Sequence, residues 1–203
     1  MTSIITADII NSRKRSPSIW MEGLKKVLNR FGTTPKQWEI YRGDEFQLEV
    51  NNPEDSLLVA FHIKAYLKTV QLDVRISIGF GDKTYVADTI SESNGSAFVR
   101  SGLLFDTLKQ QKNNLAIQTS SAAFDEEINL MLRLAMTFMD SWLVQSSEFA
   151  LVTLENPTLS QEEIGLLLHI NQAAVSRRRT RSKFDLVMDL ESYFRKKIKT
   201  IDL

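Results

Sequence analysis

The stretch that most constrains the fold runs from Trp38 to Val50. Two alternating runs, Trp38 to Tyr41 and Phe46 to Val50, flank a centre of Gly43, Asp44 and Glu45. Period-two alternation on both sides of turn-forming residues predicts a β-hairpin. The centre carries two adjacent carboxylates, although one Asp-Gly would satisfy the turn. Acids held on a rigid turn suit a hard cation if a further carboxylate comes near. Asp8, at the end of the first strand, is the candidate for that group.

The rest of the chain sets the frame around this hairpin. Its 203 residues are 43% apolar, with three Trp and eleven Phe, enough for a proper core. The 25 basic and 25 acidic residues cancel, so no global charge points to nucleic acid or membrane. The absence of cysteine excludes disulfides, thiolate zinc sites and cysteine nucleophiles, and His62 and His169 are too few for a histidine-rich metal site. No run of about 20 apolar residues and no signal-peptide pattern is present, so the expected setting is soluble and cytoplasmic, without membrane association.

Ser3 to Ile10 reads as a buried strand, followed by the basic loop Arg13-Lys14-Arg15 and a helix opened by Pro17. Ile19, Trp20, Leu24, Val27, Leu28 and Phe31 carry that helix at helical spacing, and Gly32 closes it. After the hairpin, Pro53 starts a second helix, Asp73 to Gly81 alternates as a strand, Ser96 to Gln111 forms a third helix and Leu115 to Thr119 a last strand. The order β, α, β-hairpin, α, β, α, β predicts a ferredoxin-like arrangement with an added helix and strand, in an α+β chain. In that topology the end of strand one lies beside the hairpin tip, so Asp8 and Asp44 become neighbours.

From Ala122 the pattern turns helical. A long segment passes through Leu130, Leu132, Leu134, Met136, Phe138, Met139, Trp142 and Leu143, a second covers about Ser147 to Leu154, and Asn156-Pro157 breaks it. The expected division is a palm domain over 1–121, a helical connector over 122–157 and an all-α module over 158–203. The connector has apolar residues on more than one face, which suits core burial and equally a homodimer seam.

Two carboxylates on adjacent strands near a backbone carbonyl can bind Mg²⁺ while leaving positions for phosphate oxygens. Asp8 and Asp44 are the candidate ligands, with the Ile9 carbonyl and Glu45 behind them. Arg13, Lys14, Arg42, Gly43 and Arg100 are the candidate nucleotide contacts, and no residue is assigned a catalytic role. The Gly43-Asp44-Glu45-Phe46 core, the Asp8 strand and Ser77-Ile78-Gly79 resemble the GGDEF and class III nucleotide cyclase palm over about residues 1 to 120. The whole chain is similar to the SatD family, from Ile5-Thr6-Ala7-Asp8-Ile9 through Arg42-Gly43-Asp44 to its last helices. The resemblance implies a palm that binds metal and nucleotide through the residues matching Asp8, Ile9 and Asp44. Arg42 replaces the first glycine of the cyclase signature, and Pro17 to Phe31 offers no match for the guanine-reading side chains, so no particular product is implied. The plainer alternative has Asp8 capping a loop, Asp44 shaping the turn and Glu45 pairing with a nearby Arg.

Near the carboxy terminus, Ser160 with Glu163 three residues on forms a capping box. Ile164, Leu167 and Leu168 give an apolar face, Gly165 permits close packing, and His169-Ile170-Asn171 turns the chain. A second helix then runs from Gln172 to about Lys183, with Ala174 and Val175 inward. The pattern resembles the DNA-binding helix-turn-helix of bacterial regulators, sigma-factor region four included. Gln172, Ala173, Ser176 and Arg177 are the candidate base readers, and Arg178, Arg179, Arg181 and Lys183 the candidate phosphate contacts. Residues 171–200 hold nine Lys or Arg against three acids, a local basic footprint on a neutral chain. A solvated basic face on a docking module is the alternative. A final helix, Phe184 to Ile198, completes the module. The expected function is a DNA-binding transcriptional regulator with a metal- and nucleotide-binding palm. The rival is a Mg²⁺-dependent cyclase-like or nucleotidyltransferase enzyme with a basic interaction module.

Overall fold

β1 (Thr2–Ile10) occupies the centre of a five-stranded sheet, as a β-branched strand buried on both faces requires. The computed structural model describes residues 1–201, an α+β chain with one mixed sheet and eight α-helices. β1 is followed by α1 (Pro17–Asn29), the hairpin β2 (Trp38–Tyr41) and β3 (Glu45–Val50), then α2 (Ser56–Thr69), β4 (Asp73–Gly81), α3 (Ser96–Gln111) and β5 (Leu115–Gln118). The strand order is β2-β3-β1-β4-β5. β1 runs antiparallel to β3 and β4, β2 antiparallel to β3, and β5 parallel to β4. No helix is long and apolar enough to cross a membrane among the described residues.

Alternation along the strands gives the sheet two different faces. Ile5, Ala7 and Ile9 of β1 join Phe46, Leu48, Trp20, Leu24 and Phe61 in the main core under α1 and α2. Ile4 and Thr6 face α3, where Ile4 meets Ala97 and Phe98 and Thr6 donates to Ser101. α3 lies directly on β4 because Gly79 has no side chain: a Cβ there would overlap the Ala97 carbonyl and the Ser101 amide.

The hairpin tip differs from the expected one by a residue. Tyr41 pairs with Glu45, so the loop is Arg42-Gly43-Asp44 and Glu45 is the first residue of β3. Arg42 (φ 51°) and Gly43 (φ 85°) both take the left-handed conformation that turns the chain. The two adjacent acids are therefore separated in role: Asp44 stays in the loop, and Glu45 stands opposite Asp8 in the β1–β3 register.

The helical half contains α4 (Ala122–Met139), α5 (Val144–Glu155), α6 (Gln161–Leu167), α7 (Gln172–Ser182) and α8 (Phe184–Ile198). The long segment expected through Leu143 ends at Met139 instead. Its last amides close tightly onto Phe138 and Met139, and Asp140 is drawn to Lys64 and Asn114. Lys64 is only 2% exposed and its ammonium meets Asp73 at 2.7 Å and Asp140 at 2.5 Å, joining α2, β4 and the end of α4. The apolar core continues from the sheet into these helices, with Phe194 of α8 against Phe80 and Phe124, and Phe149 of α5 edge-on to Phe184.

Candidate functional site

The edge of the sheet where β1 ends gathers most of the charged candidates. Asp8 is flanked by Glu45 on β3 and by Arg75 on β4. Arg75 donates to both Asp8 oxygens, at 3.1 and 3.2 Å. Glu45 accepts from Lys109 of α3 at 3.1 Å and lies 3.8 Å from Arg42. Asp44 is engaged on another side, where its carboxylate accepts from Ser12 at 2.5 Å and its carbonyl from the Ile9 amide. Ile9 turns its side chain into the core. Burial raises the Asp8 carboxyl above its ordinary pKa. Arg75 and Lys109 pull it back down, and Glu45 and Asp44 push it up.

These acids meet at one edge, yet each is already held by a cation or hydroxyl of the chain. No group of three or more His, Cys, Asp or Glu side chains is arranged to hold a metal ion among the described residues. As they stand, the carboxylates of Asp8, Asp44 and Glu45 are engaged by Arg75, Ser12 and Lys109 respectively. The two cations that compete for them, Arg75 and Lys109, were not singled out from sequence. Arg75 showed there only as a polar position in an alternating strand.

A groove of about 500 Å³ separates the turn after β1 from the hairpin tip. Arg13, Lys14, Arg15 and Arg42 line it with Gly43, against the single acid Asp44. At its base Trp20 is buried, and its indole N–H has no acceptor among the described residues. Four of the five expected nucleotide contacts are thus brought together. The fifth, Arg100, stands on α3 and donates to the Phe80 carbonyl, away from this groove.

A second cavity of about 620 Å³ opens on the same edge, lined by Lys14, Lys68, Arg75, Lys112 and Asp73, with Trp142 behind them. Three of its rim residues, Asn11, Gln71 and Lys112, have left-handed backbones. Glycine commonly holds such helix-end positions, so Gln71 and Lys112 bring long side chains where most chains have none. The Trp142 indole donates to the Ser182 carbonyl at 2.9 Å, at the last turn of α7.

The α6–α7 pair is built as its sequence pattern requires. Ser160 and Glu163 form the reciprocal cap, which holds the Glu163 carboxyl below its ordinary pKa. Gly165 brings α6 against the Ile170 carbonyl, His169 makes the turn in a left-handed conformation (φ 54°), and Asn171 caps α7 through the Ala174 amide. Val175 and Ser182 are buried, while Gln172, Ala173, Ser176, Arg177 and Arg181 are exposed. Arg178 binds Glu148 of α5 at 2.9 Å, and Arg179 binds Asp185 of α8 at 2.7 Å. Arg177, Arg181 and Lys183 have no acidic partner among the described residues. The eight basic-helix candidates thus divide into six on the open side and two tied to neighbouring helices.

No protein-family model, curated protein or solved structure matches the chain.

Proposed function

We propose that this chain is a DNA-binding regulator in which a ferredoxin-like, cyclase-type palm carries a ligand site and α6–α7 acts as a helix-turn-helix. The observation that carries the reading is the open side of α7. Gln172, Ala173, Ser176, Arg177 and Arg181 fall within one half-turn of its circumference, and Val175 and Ser182 hold the other side in the core. A helix held in this way can enter a major groove with its first residues at base edges and its cations at phosphates. The strand order and the two antiparallel neighbours of β1 support the palm, and a cytoplasmic setting follows from a DNA partner. The test is a fluorescent-duplex shift over a range of salt. Affinity should fall steeply with salt, and Arg181→Ala should lower the salt slope by about one, while Arg177→Ala should weaken binding and relax sequence preference. No binding to mixed-sequence duplex even at low salt would refute the reading.

The groove beside the hairpin supports a second reading for the palm, as a nucleotide-binding sensor. Four cations face one acid there, and the Trp20 indole supplies an unused donor at the base. Phosphates would sit on Arg13, Lys14 and Arg42, with no metal step implied by the present donor set. A thermal shift with ATP and GTP, with and without Mg²⁺, tests it. A response that survives unchanged in Arg42→Ala would place the ligand elsewhere.

A further inference from the structure

The cavity of about 620 Å³ at the sheet edge holds more positive charge than the chain itself answers. Lys14, Lys68, Arg75 and Lys112 line it, against Asp73 alone. Ion pairs in and behind the wall account for part of this excess. Lys64 and Lys68 stand against Asp73 and Asp140, and Arg75 against Asp8. Lys14 and Lys112 are left with no acidic partner among the described residues. Arg75 is also only partly used. Both of its bonds to Asp8 leave from Nη1, and its buried Nε has no acceptor among the described residues.

The rest of the wall is apolar, with Leu72 and Trp142 buried behind it and Leu143 still 60% exposed at its border. α5 starts in the same wall, at Leu143 and Val144. Leu143 offers its first amides no side-chain cap, and its first turn holds no acid, so this helix end adds partial positive charge. The helix ends of opposite sign are closed by the chain: the Leu72 amide bonds the Leu67 carbonyl after α2, and the Asn113 amide bonds the Leu108 carbonyl after α3. Six non-glycine residues have left-handed backbones among the described residues, and three of them, Asn11, Gln71 and Lys112, lie on this one rim. Such conformations gather where a ligand is clamped.

We propose that this cavity binds a small organic phosphate, a monoester with a compact apolar body. Its phosphate meets Lys14, Lys112 and the Arg75 guanidinium, and its body lies against Leu72, Leu143 and Trp142. A phosphate monoester carries about 1.5 to 2 negative charges at neutral pH, which answers the two unmatched lysines. A single carboxylate answers one of them. The volume lies within the range of small-molecule sites, about 300–1,000 Å³. The groove beside the hairpin shares only Lys14 with this cavity, and the proposal rests on neither the nucleotide reading nor the DNA reading.

Titration of the full chain with phenyl phosphate at low salt tests the proposal, read by calorimetry and by the indole N–H resonances. Trp142 reports on this cavity and Trp20 on the groove beside the hairpin. Phenyl phosphate should shift the Trp142 resonance saturably and leave Trp20 in place. Lys112→Gln should weaken binding about fivefold or more, while Arg42→Ala, outside this cavity, should leave it unchanged. Leu143→Ala should weaken phenyl phosphate and spare inorganic phosphate. Lys112 and Leu143 are exposed, so both variants should keep the wild-type circular dichroism. No saturable shift at Trp142 up to about 10 mM, equal affinity in Lys112→Gln, or tighter binding of succinate than of phenyl phosphate would each overturn the proposal. A response confined to Trp20 would overturn it while supporting the nucleotide groove.

Discussion

Arg75 grips both carboxylate oxygens of Asp8 across the β1–β4 ladder, so the acid at the sheet edge is neutralised by the chain's own guanidinium. Both side chains are under one-quarter exposed, which makes the loss of either partner costly. Arg75→Met should destabilise the fold by about 2 kcal/mol, and adding Asp8→Asn should recover most of that loss. Urea midpoints of the two variants give the measurement. Because Asp8 has a raised pKa, its contribution favours the fold below the ordinary value of about 3.8 and fades as pH rises through the higher folded value. The Arg75→Met defect should therefore shrink on acidification. A defect independent of pH would show that Arg75 acts through packing.

Adjacent arginines on α7 should behave differently. Arg178 is largely buried against Glu148, itself 42% exposed, and ties α7 to α5. Arg178→Ala should lower stability by about 1 kcal/mol, discounted for the solvent around Glu148. Arg177→Ala should change stability by less than ~0.5 kcal/mol and weaken duplex binding instead. Thermal melts and duplex titrations on the same two proteins separate these roles.

The cap of α6 predicts a pH response with a definite sign. Glu163 is held below its ordinary pKa of about 4.5 by the Ser160 amide and hydroxyl. Its stabilisation is full above that value and disappears as pH falls through the lower folded one. Protection factors of the α6 amides, taken relative to intrinsic exchange at each pH, should fall in that acid window in the wild type, and Glu163→Gln should flatten the dependence.

Two glycines should resist alanine for unlike reasons. Gly79→Ala places a methyl into the backbone of α3 and should cost about 3 kcal/mol or more, because neither element can move without disturbing the core. Gly43→Ala meets open space but keeps a left-handed backbone (φ 85°), so its cost should be about 1 kcal/mol. Calorimetric melts of the pair test this ranking, and equal losses would contradict it.

Local chemistry made much of this legible beforehand. The hairpin, the Pro17 helix start, the Ser160–Glu163 cap and the α7 and α8 starts all follow from contacts within a few residues. The errors came from distance. The helix expected through Leu143 stops at Met139 because Asp140 answers Lys64, a residue 76 positions away. The hairpin tip shifted because strand register, rather than turn composition, puts Glu45 into β3. Pattern could place Asp8 and Asp44 on one edge, but it could not show that Arg75 and Ser12 would occupy them, since neither partner is near in sequence. For the same reason Arg178 reads as a free cation in the sequence, its acid lying 30 positions away on α5, whereas Arg179 meets Asp185 only because the chain turns between α7 and α8.

Trp142 borders the cavity at the sheet edge with its ring and holds the end of α7 with its indole N–H. One rigid, planar side chain thus has a neighbour at each end, and there is no slack between them. The cavity wall and the end of α7 are thereby joined through one side chain, beside the shared core and the Lys64–Asp140 pair that also tie the two halves together.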